Sequence, residues 1–333
     1  MKRIVAQILC LALVAGAFVA LARRGAATPA PQRVEWPVMG TVAGLTFRCD
    51  ESLQEPVRRA VQNVYEHLNE RFSAWDADSE LSRLSRARKG RVPETDRSYW
   101  LTNVSADVRA CYQTAFDLAD ASGRAFNPYV GAKLRALGFS QGQDFSDFDL
   151  GAIAKGFAVD VAWSEIGRVL RAGTPADVDA PDLLIDLGGN LRVCGGVWRT
   201  GVRNPFSEGY AAVISLTNGE SVATSGNYER FVERDGVRYS HILDGRTGEP
   251  VSGMAGVTVV TPAALGATLA DGLSTTLFVL GPEAGMKLLR GNPQWAAAQA
   301  LWIPDTPEKP VIVASPEMAA RLTDAAFPVR IQR

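Results

Sequence analysis

The strongest constraint on the fold is a series of short strand patterns joined by tight turns rather than by helices. The segment "DLLIDLGGNLRVCGG" (182–196) predicts a strand, a glycine turn and a second strand. The segment "YERFVERDGVRYSHILD" predicts a β-hairpin, because Asp235-Gly236 stands between two alternating strands. Further strands are expected at 42–48, in "WRTGVRNP", "AAVISLTNG" and "GVTVVTP", and near Ala300 and Val311.

Helical patterns lie between these strands. Apolar residues at helical spacing indicate amphipathic helices over 55–72 and 105–122. Ser79 is placed to cap a short helix from Glu80, and a later helix over 268–280 is broken at Gly281-Pro282. Strands and helices thus come in mixed blocks, which predicts an α+β fold with mixed, largely antiparallel sheets and packed helices. We expect one domain over 38–333, since no break in composition follows Pro37.

The first residues have the pattern of an export signal. Lys2 and Arg3 precede an apolar stretch over 4–21, and "ALA" at 20–22 offers a cleavage site for small residues. We therefore predict a signal peptide or N-terminal anchor over 1–22, followed by a linker over 23–37. Both outcomes stay open, because eighteen apolar residues are just enough to span a membrane. Cys10 lies inside the apolar run, so the pattern does not indicate a lipoprotein; we expect an exported, periplasmic protein.

Charge and cysteine content narrow the functional class. The net charge of the 333-residue chain is −1, and no nucleic-acid-binding motif is present, which argues against a nucleic-acid partner. The exported part retains Cys49, Cys111 and Cys194, an odd number without metal-type spacing. One disulfide is compatible with an oxidising compartment, but three buried thiols acting as small apolar residues are the simpler expectation.

One lysine stands at an unusual place in "FDLGAIAKGFAVD" (148–160). A helix is expected from Ala152 to about Leu170, with Lys155 in its first turn. The N-terminal end of a helix attracts anions, so a cation there suggests an anion nearby. The alternative is a lysine that extends from a surface helix into solvent.

A second helix carries a pair of oxygen-bearing side chains. In "LADGLSTTLFVLG", Asp271 and Thr275 are four residues apart and share one helical face. A carboxylate and a hydroxyl are ligands suited to Mg²⁺ or Ca²⁺ rather than to zinc. Alone, the pair is explained as well by an acidic first turn and a threonine bonded to its own helix.

Two loops add further polar groups. In "SHILDGRTGEP", His241 follows a strand and Asp244 lies in the turn after it, which is typical of a general base in a phosphate-handling cleft and also of an ordinary turn. In "VATSGNYER", Thr224, Ser225 and Gly226 are expected to form a turn whose backbone amides face an anion or simply line a loop.

Eight segments, in this order, resemble the FAD:protein FMN transferase family, also called the ApbE family. They span Met39 to Gly281, about three quarters of the chain, and are "MGT", "FSAWDADSELS", "GRAFNPYVG", "FDLGAIAKGFAVD", "LLIDLGGNL", "VATSGNYER", "YSHILDGRTGEPV" and "LADGLSTTLFVLG". The resemblance implies a T-fold-like architecture with FAD in a central cleft. It also implies an enzyme that uses Mg²⁺ to cleave the FAD pyrophosphate, transfers FMN to a Ser or Thr of an exported flavoprotein, and releases AMP.

The resemblance also assigns roles to individual residues. Asp271 and Thr275 match the metal ligands, with the backbone carbonyl of Ala152 completing the set, and His241 and Asp244 match the His and Asp of the turn motif. We take His241 as the base, with Asp244 as the alternative. The positions that match FAD contacts are Met39, Trp75, Ala125, Phe126, Asn127, Asp149, Lys155 and Ile242.

The sequence departs from the family pattern at two places near these residues. The usual "GAFDPT" reads "RAFNPY", so that Asn127 replaces a carboxylate, and Gly245 replaces the proline of the turn motif. Two other functions remain open at this point. One is Mg²⁺-dependent hydrolysis of FAD to FMN and AMP, and the other is an exported flavin-binding protein without activity.

Overall fold

The computed structural model describes residues 31–49, 51–73, 76–88, 101–102, 104–139, 148–173, 181–229, 231–234 and 237–333. The segment predicted as signal or anchor, residues 23–30 of the predicted linker, Trp75 and the hairpin turn at Asp235-Gly236 lie outside these ranges. No helix within the described ranges is both long and apolar enough to cross a membrane.

The strands of the described residues form one large sheet and two small ones. In chain order they are β1 (Gln32–Val38), β2 (Thr41–Arg48), β3 (Asp182–Leu187), β4 (Asn190–Cys194), β5 (Val197–Arg203), β6 (Tyr210–Thr217), β7 (Ser221–Gly226), β8 (Phe231–Arg234), β9 (Val237–Ser240), β10 (Met254–Thr261), β11 (Gln299–Pro304), β12 (Ile312–Ala314), β13 (Leu322–Thr323) and β14 (Val329–Ile331). The large sheet has nine strands in the order β1-β2-β3-β4-β7-β10-β11-β12-β14. Its pairings are antiparallel except for β12 with β14. The largely antiparallel architecture predicted from the sequence is confirmed.

The predicted linker is wrong for residues 32–37, because these residues form most of strand β1. β1 pairs with β2 along its whole length, from Gln32 opposite Phe47 to Val38 opposite Thr41. The two strands are joined at Met39 and Gly40, which both have positive φ angles (51° and 69°), as a tight hairpin turn requires. Pro37 is tolerated because β1 is the edge strand, where an N–H group is not needed on the outer side.

The helices predicted from the sequence are present, whereas the two short helices at 131–136 and 316–321 were not predicted. In chain order the helices are α1 (Glu51–Phe72), α2 (Glu80–Arg88), α3 (Ala106–Ala121), α4 (Gly131–Ala136), α5 (Ala154–Gly173), α6 (Gly266–Gly291) and α7 (Pro316–Arg321). Ser79 accepts a hydrogen bond from the Ser82 N–H, which confirms it as the cap of α2. The predicted break in α6 is confirmed at Gly281, where φ is 71° and ψ is 179°.

The break in α6 removes helical donors, and a side chain from the sheet replaces one of them. At Gly281 the backbone is not helical, and Pro282 has no N–H group to offer. The indole Nε1–H of Trp302, on β11, donates to the Leu277 carbonyl oxygen at 3.1 Å. A carbonyl group at the end of the first half of α6 is therefore satisfied by a donor from outside the helix.

The large sheet is covered on both faces. On one face, Leu183 and Ile185 of β3 belong to a core that includes buried residues of α1, α3, α5 and α6. On the other face, Leu184 belongs to a second core with Trp198 and Ile214 of the small sheet β13-β6-β5. Successive residues of a strand point to opposite faces, which explains why Leu183, Leu184 and Ile185 form an uninterrupted apolar run in β3.

The cysteines of the described residues are free thiols. Cys111 and Cys194 are buried, and burial raises the pKa of both thiols above the ordinary value. A thiol with a raised pKa is a poor nucleophile at neutral pH. Both residues thus act as small apolar side chains, as the sequence predicted; Cys49 is half-buried.

Helices α5 and α6 approach each other so closely at Gly156 that no side chain fits there. A Cβ atom at this position would lie 2.7 Å from Asp271 Cβ and 2.8 Å from the Ala267 carbonyl carbon, both on α6. Such distances are well below van der Waals contact, so either helix would have to shift. Gly156 therefore fixes the spacing of the two helices.

Replacing Gly156 by Ala is expected to lower the free energy of unfolding by about 1–3 kcal/mol, because the added methyl group overpacks the contact between α5 and α6. Urea unfolding followed by circular dichroism measures the change. Gly167→Ala in α5 is the matched control, since the nearest atom to its Cβ would be the mobile end of Arg171 at 3.3 Å. The control should be stabilised by up to about 1 kcal/mol; equal loss in both variants would contradict the packing role of Gly156.

Candidate active site

The contact between α5 and α6 brings Lys155, Gly156 and Asp271 together. The Gly156 N–H belongs to the first turn of α5 and donates to Asp271 Oδ2 at 2.9 Å. Lys155 Nζ lies 3.6 Å from the same oxygen and donates to the Gly151 carbonyl oxygen at 3.2 Å. In this structure the anion beside Lys155 is a buried carboxylate next to the positive end of the helix.

Asp271 is a carboxylate in a poorly hydrated place. Its side chain is 6% exposed, whereas that of Lys155 is 29% exposed. Burial raises the pKa of Asp271 above the ordinary value, while Lys155 and the Gly156 N–H act in the opposite direction. Burial of the Asp271 carboxylate costs free energy that Lys155 and the Gly156 N–H only partly offset. A carboxylate in this situation attracts cations.

A short chain of hydroxyl groups lies beside Asp271. Ser225 Oγ lies 2.8 Å from Ser274 Oγ and 3.1 Å from Thr275 Oγ1. The predicted turn at 224–226 is wrong: Thr224 and Ser225 lie in strand β7, in register with Thr258 and Val257 of β10. What reaches the site is thus the Ser225 side chain. Sequence reasoning missed this role, since a strand in the centre of the sheet reads locally like a polar loop.

The oxygen atoms of this region fit a hard cation such as Mg²⁺. Asp271 supplies a buried carboxylate, Thr275 a half-buried hydroxyl group, and Ala152 lies half-buried in the turn just before α5. Among the described residues no group of three or more His, Cys, Asp or Glu side chains could hold a metal. A cation at this place would depend on hydroxyl and carbonyl oxygens and on phosphate groups of a ligand, as is common for Mg²⁺.

The start of α6 is fastened to α5 by Asp160, which ends the motif of Lys155. Asp160 accepts hydrogen bonds from the Ala267 and Thr268 N–H groups, both at 2.8 Å, and from Thr268 Oγ1 at 2.6 Å. Arg192 of β4 forms an ion pair with the same carboxylate. Asp160 thus satisfies the first N–H groups of α6 and sets the position of Asp271 one turn further on.

A second group of predicted residues lies on two loops that contact each other. Gly245, in the turn after His241, donates its N–H to the Ala125 carbonyl oxygen at 3.1 Å. Asn127 Nδ2 donates to the Gly245 carbonyl oxygen at 3.0 Å. Phe126 and Ile242 are buried at 3% and 5% exposure, so their side chains belong to the core beneath the loops.

His241 and Asp244 are in different surroundings although they share this loop. The His241 ring is half-buried and packs edge-on against the Phe139 ring, with centroids 6.4 Å apart. Asp244 accepts hydrogen bonds from the Arg246 side chain at 2.8 and 2.6 Å. These bonds hold the pKa of Asp244 below its usual range. A carboxylate with a lowered pKa is a weak base at neutral pH, which favours His241 over Asp244 as proton acceptor.

Asp149 connects the two groups of residues. Its N–H donates to the Pro128 carbonyl oxygen at 2.7 Å, and its Oδ1 accepts from the Gly151 N–H at 2.6 Å. The loop of Asn127 is thus tied directly to the segment that leads into Lys155. Met39 lies at the β1–β2 turn, and no hydrogen bond or ion pair of the described residues connects it to Lys155 or Asp271.

The ApbE family model matches residues 39–147 and 143–299, which is most of the chain. The protein therefore belongs to the ApbE family, as the resemblance of the eight segments predicted.

Individual relatives agree with this membership. The chain is 29% identical to the FAD:protein FMN transferase of Rhodobacter capsulatus, over 96% of this chain and 64% of the relative. It is 33% identical to the FAD:protein FMN transferase of Treponema pallidum, over 77% of this chain and 80% of the relative. Among solved structures, the ApbE protein of Thermotoga maritima has a TM-score of 0.69 at 24% identity, covering 88% and 99% of the two chains. That likeness shows the fold.

Replacing Arg246 by Gln is expected to raise the pKa of Asp244 toward the ordinary aspartate value, because the guanidinium that lowers it is removed. The ion pair contributes stability above the unfolded pKa of about 4 and loses it as the pH falls through the lowered value. Carbon-13 NMR titration of the carboxyl group measures the shift. An unchanged pKa in Arg246→Gln would show that Arg246 does not control Asp244.

Proposed function

We propose that the protein is a Mg²⁺-dependent FAD:protein FMN transferase, which cleaves the FAD pyrophosphate and attaches FMN to a Ser or Thr of a partner protein. The observation that carries the proposal is the meeting of Lys155, Gly156 and Asp271 where α5 and α6 touch. A cation, a helix N-terminus and a buried carboxylate with hydroxyl neighbours are suited to a pyrophosphate together with a divalent metal. Membership of the ApbE family and the names of the relatives support it.

In this proposal Asp271, Thr275 and the Ala152 carbonyl oxygen hold Mg²⁺. When bound, the ion neutralises charge on the phosphate oxygens. Lys155 is exposed enough to leave Asp271 and turn to a phosphate, since among the described residues its side chain is bound only by Gly151 O and Asp271. Ser225 orients the Thr275 hydroxyl by contact at 3.1 Å. Supporting contacts of this kind set the direction of a ligand oxygen.

FAD is proposed to lie along the residues that connect the two loops to α5. The set is that predicted from the sequence: Met39, Trp75, Ala125, Phe126, Asn127, Asp149, Lys155 and Ile242. The chain of contacts from Asn127 through Pro128 and Asp149 to Gly151 supports a continuous wall for most of this set. The buried Phe126 and Ile242 shape this wall from beneath or through their backbones.

His241 is proposed to remove the proton from the acceptor hydroxyl group. A hydroxyl group is a weak nucleophile until a base assists it. The Asp244 carboxylate is engaged by Arg246, whereas the His241 ring packs against Phe139 at the edge of the turn. After proton removal, the acceptor oxygen forms the new phosphoester bond and AMP leaves with the other phosphate.

The acceptor is proposed to be an exported flavoprotein, and the protein to work in the periplasm. This rests on the signal pattern over 1–22, with the apolar residues 4–21 serving either as a cleaved signal or as a membrane anchor.

The function is tested by mixing the protein with FAD, Mg²⁺ and exported flavoprotein domains that contain a Ser or Thr site. A fluorescent acceptor band on a denaturing gel, with AMP released in equal amount, is the expected result. AMP without a labelled band would identify a FAD pyrophosphatase instead, and neither product would identify a flavin-binding protein.

The metal residues are tested by two variants and one control. Asp271→Ala is expected to abolish AMP release, and Thr275→Val to raise the Mg²⁺ concentration needed by about 10- to 100-fold. Thr276→Val is the matched control, because the Thr276 hydroxyl donates to Gly272 O within its own helix. AMP release at the parental rate in Asp271→Ala, or an equal effect of both threonine variants, would overturn the metal assignment.

The base is tested by the pH dependence of FMN transfer. Neutral imidazole accepts a proton and imidazolium does not, so the rate should rise with pH through the range where histidines titrate, about pH 6–7. Asp244 as base would instead keep the rate high to pH values below the ordinary range of aspartate, because the hydrogen bonds from Arg246 lower the pKa of Asp244. His241→Gln should abolish this rise of the rate with pH together with most of the activity. A rise that persists in this variant would contradict the role of His241.

A further inference from the structure

The loop of Asn127 and the turn after His241 are joined by a reciprocal set of hydrogen bonds. Asn127 Nδ2 donates to the Gly245 carbonyl oxygen at 3.0 Å, and the Gly245 N–H donates to the Ala125 carbonyl oxygen at 3.1 Å. Asn127 Oδ1 in turn accepts from the Tyr129 N–H at 3.0 Å. Both ends of the Asn127 amide are therefore used within the protein.

The same contact leaves no room for a side chain at Gly245. A Cβ atom there would lie 2.5 Å from the Arg124 carbonyl oxygen and 3.0 Å from the Asn127 backbone nitrogen. These are backbone atoms, which cannot turn aside as a flexible side chain does. Only glycine allows the turn to lie flat on the loop of Asn127.

The contact requires the chemistry of an amide at position 127. A carboxylate could still accept from the Tyr129 N–H, but it has no hydrogen to donate to the Gly245 carbonyl oxygen. Two acceptors would then face each other at hydrogen-bond distance. Two of the departures from the family pattern, Asn127 and Gly245, thus touch each other and form a single contact.

We propose that Asn127 is a positioning residue for FMN transfer, and that it acts by fixing the turn after His241 through its contact with Gly245. The turn carries His241 at its start and is tied by this contact to the loop that leads through Pro128 and Asp149 to α5. The contact therefore sets the position of the base relative to the Lys155–Asp271 centre. This inference rests on the proposed function.

The test compares kcat and KM for FAD in Asn127→Asp and Gly245→Ala, using the full chain, Mg²⁺ and the acceptor labelled by the parental protein. We expect kcat per FAD-binding site to fall about tenfold in each variant, because the half-buried Gly245 carbonyl loses its donor or the turn is displaced. KM in Gly245→Ala should change by less than about threefold, since the displaced group acts after binding. The double variant should be no slower than the slower single variant, because both changes break one contact.

Asn292→Asp is the matched control. Its Oδ1 accepts from the Gln294 N–H two residues on, as Asn127 does from Tyr129, and it is half-buried just after the end of α6. The control adds the same negative charge and should keep the parental kcat. Parental kcat per site in both Asn127→Asp and Gly245→Ala, equal loss in Asn292→Asp, or multiplied losses in the double variant would overturn the proposal.

Hydrogen exchange separates this proposal from the proposed function. Without FAD or acceptor, the peptide over 241–248 should exchange faster in Asn127→Asp than in the parental protein, and at the parental rate in Asn292→Asp. Unchanged exchange in Asn127→Asp would show that the contact does not hold the turn. If the parental protein labels no acceptor, the proposed transfer fails and with it the positioning role, while the exchange experiment still decides whether Asn127 holds the turn.

Discussion

The site depends on one close approach, the contact of Gly156 on α5 with Asp271 on α6. The absence of a side chain at Gly156 lets the helices meet, and its N–H group then binds the carboxylate at 2.9 Å. The same first turn places Lys155 beside Asp271, and Asp160, one turn further along α5, fastens the start of α6. Helix α5 thus sets the distance to α6, binds its Asp271 and holds its N-terminal end, and α6 carries Asp271 and Thr275, the proposed metal ligands.

Local patterns predicted most elements, because periodicity, turn residues and caps act over a few neighbours. The β3–β4 pair, the Ser79 cap of α2 and the break at Gly281 were all predicted correctly from such signals. Strand β1 was missed because Pro37 is typical of a linker, although an edge strand tolerates a proline. Strand β7 was missed because Thr224, Ser225 and Gly226 are typical turn residues. They form a strand because they pair with β10, which is distant in the sequence.

The candidate residues were also predicted from the sequence, but the contacts that organise them were not. The Gly156–Asp271 and Asn127–Gly245 hydrogen bonds join residues 115 and 118 positions apart in the chain. No pattern of spacing reports such pairs, because they depend on how helices and loops pack after the strands have paired. Ser225 and Asp160 acquired their roles for the same reason, although Asp160 was visible as the last residue of the lysine motif.

The first half of α6 is held at both ends by groups from elsewhere, Asp160 at its start and the Trp302 indole at its end. Between them stand Gly272, Ser274, Thr275 and Thr276, which are weak helix formers. Tertiary contacts therefore supply what local propensity lacks. Transplanting this segment alone into another scaffold would not transfer the site, because its helical conformation depends on contacts with the surrounding strands and helix.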